Sequence, residues 1–518
     1  MDALTDIKGV ESNPADDAAL DDKIGGILDE ADRMFLATSV DGISSGASVF
    51  FARDGHDLLF FTFNPSRKAE QIGCNPTVQA VIWPKAQEGI RGLQIEGECH
   101  RIRDPDEQRL AQDKILNVTE AFRSYMDDPF LVQNRVVGYY RIRPTLTKYV
   151  DFHADPQFQW REYPQNQVGA LPSMLASTLG RLRLWVRAVR APFFTATLVP
   201  VLLGSVIAHT DLAHSGHAQM WNWAIFWLAL LGGVLAQAGT NLANDYGDHT
   251  SRNDEYNKVP SPFNGGSRVI QAGLLAPWKV LLAALLCFAG TIGIGLYLND
   301  LIAGGPFANT PLLWAGVAGC VLGVAYTLGP LRLSYRGLGE IAIAAGFGPV
   351  IVLGTHYVLS AGALSDWHWG RPLGASIPVA IFVMLIVWVN QFQDAPADAK
   401  AHKRTWVVRI CEQPGPEFHY EPAFAVYRVL NGLGFATIAA LGALGLAGSS
   451  FGTPYAFLAM LTMPLFFYAN RLANAWLVEW NKPEADRQRL PYELLKVNAL
   501  TIGIHLVTGL LIVAAYWI

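Results

Sequence analysis

NWAIFWLALLGGVLAQAGTNLANDYGDHTSRND, residues 222 to 254, decides how this chain folds. Residues 222–244 of it carry no charge, and roughly 20 apolar residues in a helix cross the hydrocarbon of a bilayer. Lipid offers open backbone groups no partner, so only a helix or a closed barrel can span it. The alternation of barrel strands is missing here. Polarity then arrives abruptly. Asn244 and Asp248 are four apart and share one face of a helix, as do Asn241 and Asp245, and Asp254 follows one loop-turn later.

A second stretch repeats the pattern. NQFQDAPADAK, residues 390 to 400, ends another apolar run and sets Asn390, Asp394 and Asp398 at intervals of four. Pro396 stands between the two aspartates; proline removes a helix hydrogen bond, so this cluster is expected at a helix end rather than on a straight helix. Apolar runs long enough to span lie near 191–209, 222–243, 278–298, 311–328, 338–360, 375–395, 421–447, 454–472 and 496–517. Arginine and lysine gather before the first run and after the second, fourth, sixth and eighth, while the opposite loops offer essentially Arg371 alone. The positive-inside rule puts the basic loops and the N-terminal region on the cytoplasmic side. The expected fold is an all-α polytopic bundle of about nine transmembrane helices behind a soluble, mostly-β domain. Its place is the membrane, with a bacterial inner membrane as the expected setting.

Composition agrees. The chain has 518 residues, 51% hydrophobic and 16% charged, against roughly 25% charged in a soluble domain. Its net charge of -5 creates no field that would attract nucleic acid. Five scattered cysteines form no CxxC pair, which suits buried or lipid-facing thiols. Residues 1–21 are acidic, lack the apolar core of a signal peptide and read as a disordered tail.

A carboxylate at the bilayer centre costs about 2.5–3.5 kcal/mol on insertion scales, so clusters of them imply function. Capping explains one aspartate, but not two clusters with asparagines in register. Mg²⁺ takes oxygen ligands and is shared between a few carboxylates and substrate phosphates, so two facing clusters suit a diphosphate leaving group. Arg268, Arg332, Arg336, Lys403 and Arg404 stand in the adjoining loops as candidate phosphate contacts. An ion-coupled membrane transporter with a regulatory barrel domain is the alternative, since intramembrane acids also mark ion pathways.

NLANDYGD, SRVIQAGLL, YTLGPLRLSYRGLGE, VLGTHYV and the DxxxDxxxxKRT run together resemble the UbiA superfamily of intramembrane prenyltransferases, and within it the 1,4-dihydroxy-2-naphthoate polyprenyltransferases. The resemblance covers about residues 185 to 518, with the membrane domain over 191–518. It implies a prenyl chain moved from its diphosphate to an aromatic acceptor in menaquinone-like quinone biosynthesis. It also implies that Asn244, Asp248, Asp254, Asn390, Asp394 and Asp398 are the catalytic, Mg²⁺-binding set. Gln391 and Gln393 stand where the family usually has Asn and Arg. Tyr326, Phe347 and Tyr357 are candidates to shield a cationic intermediate.

Residues 22–165 read differently. MFLATSV, ASVFFAR, DLLFFTFN, TVQAVIW, LQIEGECHRI and VVGYYRIRPTLTKYVDF are strand-like runs bounded by turn residues, and six or so such strands suggest a closed barrel. FFTFNPSRKAEQIGCNP resembles the pyridoxamine-phosphate-oxidase-like flavin-binding split barrels. That likeness implies FMN, with Thr62, Ser66, Arg67 and Lys68 around its phosphate, and a homodimer through the barrel. A flavin-dependent reductase role is one expectation for this domain, and a regulatory or assembly role the alternative. Residues 166–190 form the linker into the membrane.

Overall fold

The computed structural model describes residues 14–40, 42–63, 66–84, 91–123, 137–153, 158–166, 170–257, 261, 263–360, 368–413, 418–487 and 489–518. It divides into two compact units, residues 1–185 with 272–276, and 186–271 with 277–518.

In the first unit, strands β1 (Arg33–Val40), β2 (Ile43–Asp54), β3 (Asp57–Phe63), β4 (Thr77–Ile82), β5 (Arg91–Arg101), β6 (Val137–Asp151) and β7 (Phe158–Glu162) pair antiparallel in the order β3-β2-β1-β4-β5-β6-β7. A further β3–β6 pairing closes the first six into the expected barrel. Period-2 burial shows why. Along β1, Met34, Leu36, Thr38 and Val40 are buried while the residues between them are not. β3 is buried on both faces: Leu58 and Phe60 join the barrel core, and Leu59 and Phe61 pack with Ala111 and Ile115 of helix α3 (Pro105–Val118). Pro144 cannot donate a ladder hydrogen bond, and the β5–β6 register shifts at Glu96/Gly97 beside it. A Cβ on Gly97 would lie 2.5 Å from the Arg143 carbonyl oxygen, so only glycine fits.

The acidic stretch departs from its expected disorder. Helix α1 runs Pro14–Glu30, taking in the end of the 1–21 segment, and residues 1–13 lie outside the described residues. Leu20, Ile24, Ile27 and Leu28 recur at helical spacing and are buried in the barrel core. Composition hid this face, because four apolar residues among many acids barely move an average. Helix α2 (Arg67–Cys74) follows β3, and α4 (Ala170–Ala188) occupies the linker.

The second unit is helical. Its helices are α5 (Thr195–His214), α6 (Trp223–Thr250), the short α7 (Asn253–Tyr256), α8 (Pro277–Ala303), α9 (Pro311–Thr327), α10 (Gly339–Ser360), α11 (Gly370–Lys400), the short α12 (Trp406–Cys411), α13 (Glu421–Leu446), α14 (Pro454–Trp480) and α15 (Leu490–Trp517). Among the described residues, eight are long and apolar enough to cross a membrane, and α9 is a shorter apolar helix. Together they match the nine expected runs. Trp227, Leu286, Val429 and Leu461 remain at least 60% exposed, as lipid-facing residues should.

α11 corrects one expectation: it continues through Pro396 to Lys400, so the second cluster sits on one unbroken helix. A proline late in a helix frees a single carbonyl, which neighbouring groups can satisfy. Elsewhere α10 takes up Pro349 in a π-helical turn over Gly346–Val350. Small residues let helices approach. A Cβ at Gly509 of α15 would lie 2.4 Å from Val199 Cγ1 of α5. Gly509→Val should therefore cost about 1–3 kcal/mol, seen as a lower melting temperature of the purified protein, and Val199→Ala in the same chain should restore most of it.

Candidate active site

The site is assembled where helices end. α6 delivers Asn244 and Asp248, and the chain then reverses at Arg252 (φ 60°) so that α7 carries Asp254 back toward them. Arg190, Arg268, Arg332 and His402 also hold left-handed backbone, φ 45–63°, at a cost on the order of 1 kcal/mol each. A Cβ at Gly266 (φ 73°) would lie 2.7 Å from Asp254 Oδ2, so only glycine closes the loop over that carboxylate.

One cavity gathers the six residues expected to bind metal: Asn244, Asp248, Asp254, Asn390, Asp394 and Asp398, with Lys403 beside them. Asp248 accepts from Lys403 Nζ (3.0 Å), Tyr335 OH (2.9 Å) and Asn244 Nδ2 (3.2 Å). Lys403 also lies 3.7 Å from Asp398, and so ties the two motifs together. Asp398 Oδ1 accepts from Asn253 Nδ2 (2.9 Å), and Asp394 Oδ1 from Asn257 (2.8 Å) and Asn264 (3.1 Å). Asn390 Oδ1 accepts from Asn498 Nδ2 at 2.7 Å.

Charge is unbalanced here. Five carboxylates line the cavity (Asp248, Asp254, Glu340, Asp394, Asp398) against two cations, Arg190 and Lys403. Burial opposes the Lys403 charge, but Asp248 and Asp398 outweigh it and hold the ammonium well above its ordinary range. Burial, then Asp248 and Asp245, push Asp254 well above the usual carboxylate range. Asp245 itself is matched, 2.5 Å from Arg190.

The donor set fits Mg²⁺. Every candidate ligand is a hard oxygen, and Asn253 Oδ1 is buried without a hydrogen-bond partner in the protein. Among the described residues no three His, Cys, Asp or Glu side chains make an all-protein cage.

The other expected cations do not line this cavity. Arg268 donates to the Asp254 backbone carbonyl, and Arg332 lies 5.2 Å from the Tyr335 ring. Arg336 donates to the Pro330 carbonyl (3.2 Å), and Arg404 pairs with exposed Glu412. These four shape the loops. Tyr326 and Phe347 line the cavity, whereas Tyr357 does not. Sequence reading missed Arg190, Tyr335, Asn253, Asn257, Asn264 and Glu340 as site residues; the density of asparagine between 253 and 264 was the available signal.

Two further cavities continue from this one. The first shares Gln237, Thr240, Tyr326, Ile343 and Phe347 with it, and the second shares Gly233, Ala236, Gly319, Val350 and Ile351 with the first. Their walls are almost wholly apolar or glycine.

In the barrel unit, Ser66 caps α2, accepting from the Ala69 amide (3.4 Å), and lies 3.1 Å from the buried Thr62 hydroxyl. Arg67 is exposed and reaches the Ser44 carbonyl at 3.4 Å. Burial lowers the Lys68 ammonium from its usual range. Two hydroxyls and two cations at a helix N-terminus fit the phosphate of FMN.

A family model described as the UbiA prenyltransferase family matches residues 197–500, and one described as pyridoxamine 5'-phosphate oxidase matches residues 20–135. Similar proteins include a 1,4-dihydroxy-2-naphthoate octaprenyltransferase of Mycobacterium tuberculosis, 33% identical over 44% of this chain and 69% of that one. Another of that name, from Haemophilus influenzae, is 29% identical over 46% of this chain and 73% of that one. Among solved structures, general stress protein 26 of Bacillus anthracis aligns with 27% of this chain and 97% of its own, at 21% identity and TM-score 0.21.

Surplus negative charge predicts a cation response. Mg²⁺ at 100 times its Kd should stabilise the protein by about 2.7 kcal/mol, read as a rise in melting temperature. Asp398→Asn should remove most of that rise.

Proposed function

This chain belongs to the UbiA prenyltransferase family, and on that premise we propose that it transfers a prenyl chain from an allylic diphosphate to an aromatic acceptor of the 1,4-dihydroxy-2-naphthoate class, in quinone biosynthesis. Membership in an enzyme family leaves no place for the ion-coupled transporter. The observation that carries the reading is the meeting of both acidic motifs around Lys403 in one cavity.

Asn244, Asp248, Asp254, Asn390, Asp394 and Asp398 would hold Mg²⁺, which when bound neutralises the diphosphate as it departs. Lys403 would add charge to the same oxygens. The bond between the allylic carbon and oxygen breaks, diphosphate keeps the electron pair, and a ring carbon of the acceptor forms the new bond. The ring then loses a proton, or carbon dioxide where it bears a carboxylate. Tyr326 and Phe347 offer aromatic faces to the cationic carbon. The linked apolar cavities would house the prenyl tail. By the positive-inside rule this chemistry and the barrel would lie on the cytoplasmic side, with a bacterial inner membrane as the setting. FMN in the barrel, at the seam of a homodimer, would serve to reduce a quinone-like acceptor or product.

Incubation of the purified protein with Mg²⁺, prenyl diphosphates and 1,4-dihydroxy-2-naphthoate should yield a prenylated product by mass. Asp248→Asn and Asp394→Asn should each lower the rate at least about 100-fold; full activity in both would remove the metal assignment. Gly319→Leu, in the wall shared by the two apolar cavities, should favour shorter prenyl donors over longer ones in kcat/KM. Protein purified with FMN should be yellow, and Arg67→Gln should weaken flavin uptake about tenfold, measured by fluorescence titration.

A further inference from the structure

We propose that Glu340 and Gln391 form the subsite for the ring hydroxyls of the acceptor. The inference rests on the aromatic-prenyl-transfer reading and deepens it. Glu340 lies in the first turn of α10 and Gln391 on α11, and both line the central cavity. They are 2% and 7% exposed. Gln391 Nε2 donates to Glu340 Oε1 at 2.9 Å, and the Trp406 backbone amide donates to that same oxygen at 3.1 Å. Two donors thus fill one carboxylate oxygen. The other, Glu340 Oε2, and the amide oxygen Gln391 Oε1 are buried and have no hydrogen-bond partner in the protein.

The pairing fixes which end of the Gln391 amide is which. Turned over, its oxygen would face the carboxylate oxygen that already accepts from Trp406, acceptor against acceptor. The cavity wall therefore presents two buried acceptors with no donor for either. A buried acceptor left unmatched is destabilising, so the ligand that suits this wall brings hydroxyl donors. A hydroquinone-type ring has them. A quinone carries only acceptors on the same two carbons and would set oxygen against oxygen.

Chemistry points the same way. A hydroxyl that donates to a carboxylate gains electron density on its oxygen and passes it to the ring, raising the nucleophilicity of the carbon that attacks. No oxidation occurs at this site. The ring enters and leaves as a hydroquinone, and the departing atoms are those of diphosphate and a proton or carbon dioxide. Glu340 lies outside the two acidic motifs, and Gln391 is a neutral position within the second. The Gln391 side chain is long enough to span from α11 to Glu340.

The test is a fluorescence titration of the full-length purified protein, without prenyl diphosphate, using 1-hydroxy-2-naphthoate and its 1-methoxy counterpart as probes. The wild-type chain should bind the hydroxy compound about tenfold more tightly, as one hydrogen bond of about 1.4 kcal/mol implies. Glu340→Gln keeps the oxygen that accepts from Trp406 and Gln391 and turns the free oxygen into a donor, so the ratio should fall to about one. Gln391→Leu, a second route should Glu340→Gln fail to fold, should lower the ratio part of the way. Equal affinity for both probes in the wild type, or a ratio untouched by Glu340→Gln, overturns the subsite. So does a Glu340→Gln chain that keeps the ratio but needs more Mg²⁺, which would make Glu340 an ion ligand. Absence of any prenylated product would sink the proposed reaction alone, because the titration needs no turnover.

Discussion

Lys403 is the pivot of the membrane unit. Its ammonium lies 3.0 Å from Asp248 and 3.7 Å from Asp398, so one cation joins motifs 150 positions apart in the chain. Two carboxylates sunk this deep repel one another and lack water. The single lysine offsets part of that, and five acids against two cations leave the remainder for an incoming ion and its phosphates. Several other features follow from this constraint: asparagines donate to Asp248, Asp394 and Asp398, a glycine lets a loop close over Asp254, and Arg190 is spent on Asp245.

Much of this was legible in the residues. Spans show themselves through length and apolarity because the bilayer demands both. Asn244, Asp248, Asn390, Asp394 and Asp398 show themselves through spacing, since i, i+4 on a helix is a local property. The strands of the barrel show period-2 burial for the same local reason. What stayed hidden was non-local. Nothing in the order of residues says that Glu340 meets Gln391, or that Tyr335 reaches Asp248. The partners of the loop arginines were equally hidden: Arg336 donates to a carbonyl and Arg404 pairs with a surface carboxylate.

Two errors of expectation share one cause. Pro396 suggested a broken helix and the acidic leader suggested disorder, but each judgement weighed a single residue type against its surroundings. α11 carries its proline because the bundle packs around the helix, and α1 forms because Leu20, Ile24, Ile27 and Leu28 have a core to enter. Tertiary burial overruled local preference both times.

The left-handed backbone of Arg190, Arg252, Arg268 and Arg332 sets four sharp corners with long basic side chains on them. At each position glycine would relax the main chain. What it would remove is the head group. Arg190, facing Asp245, shows what such a head group does. Protein engineers seeking a sturdier version of this chain should expect glycine there to ease the backbone and, at Arg190, to strip Asp245 of its counter-charge.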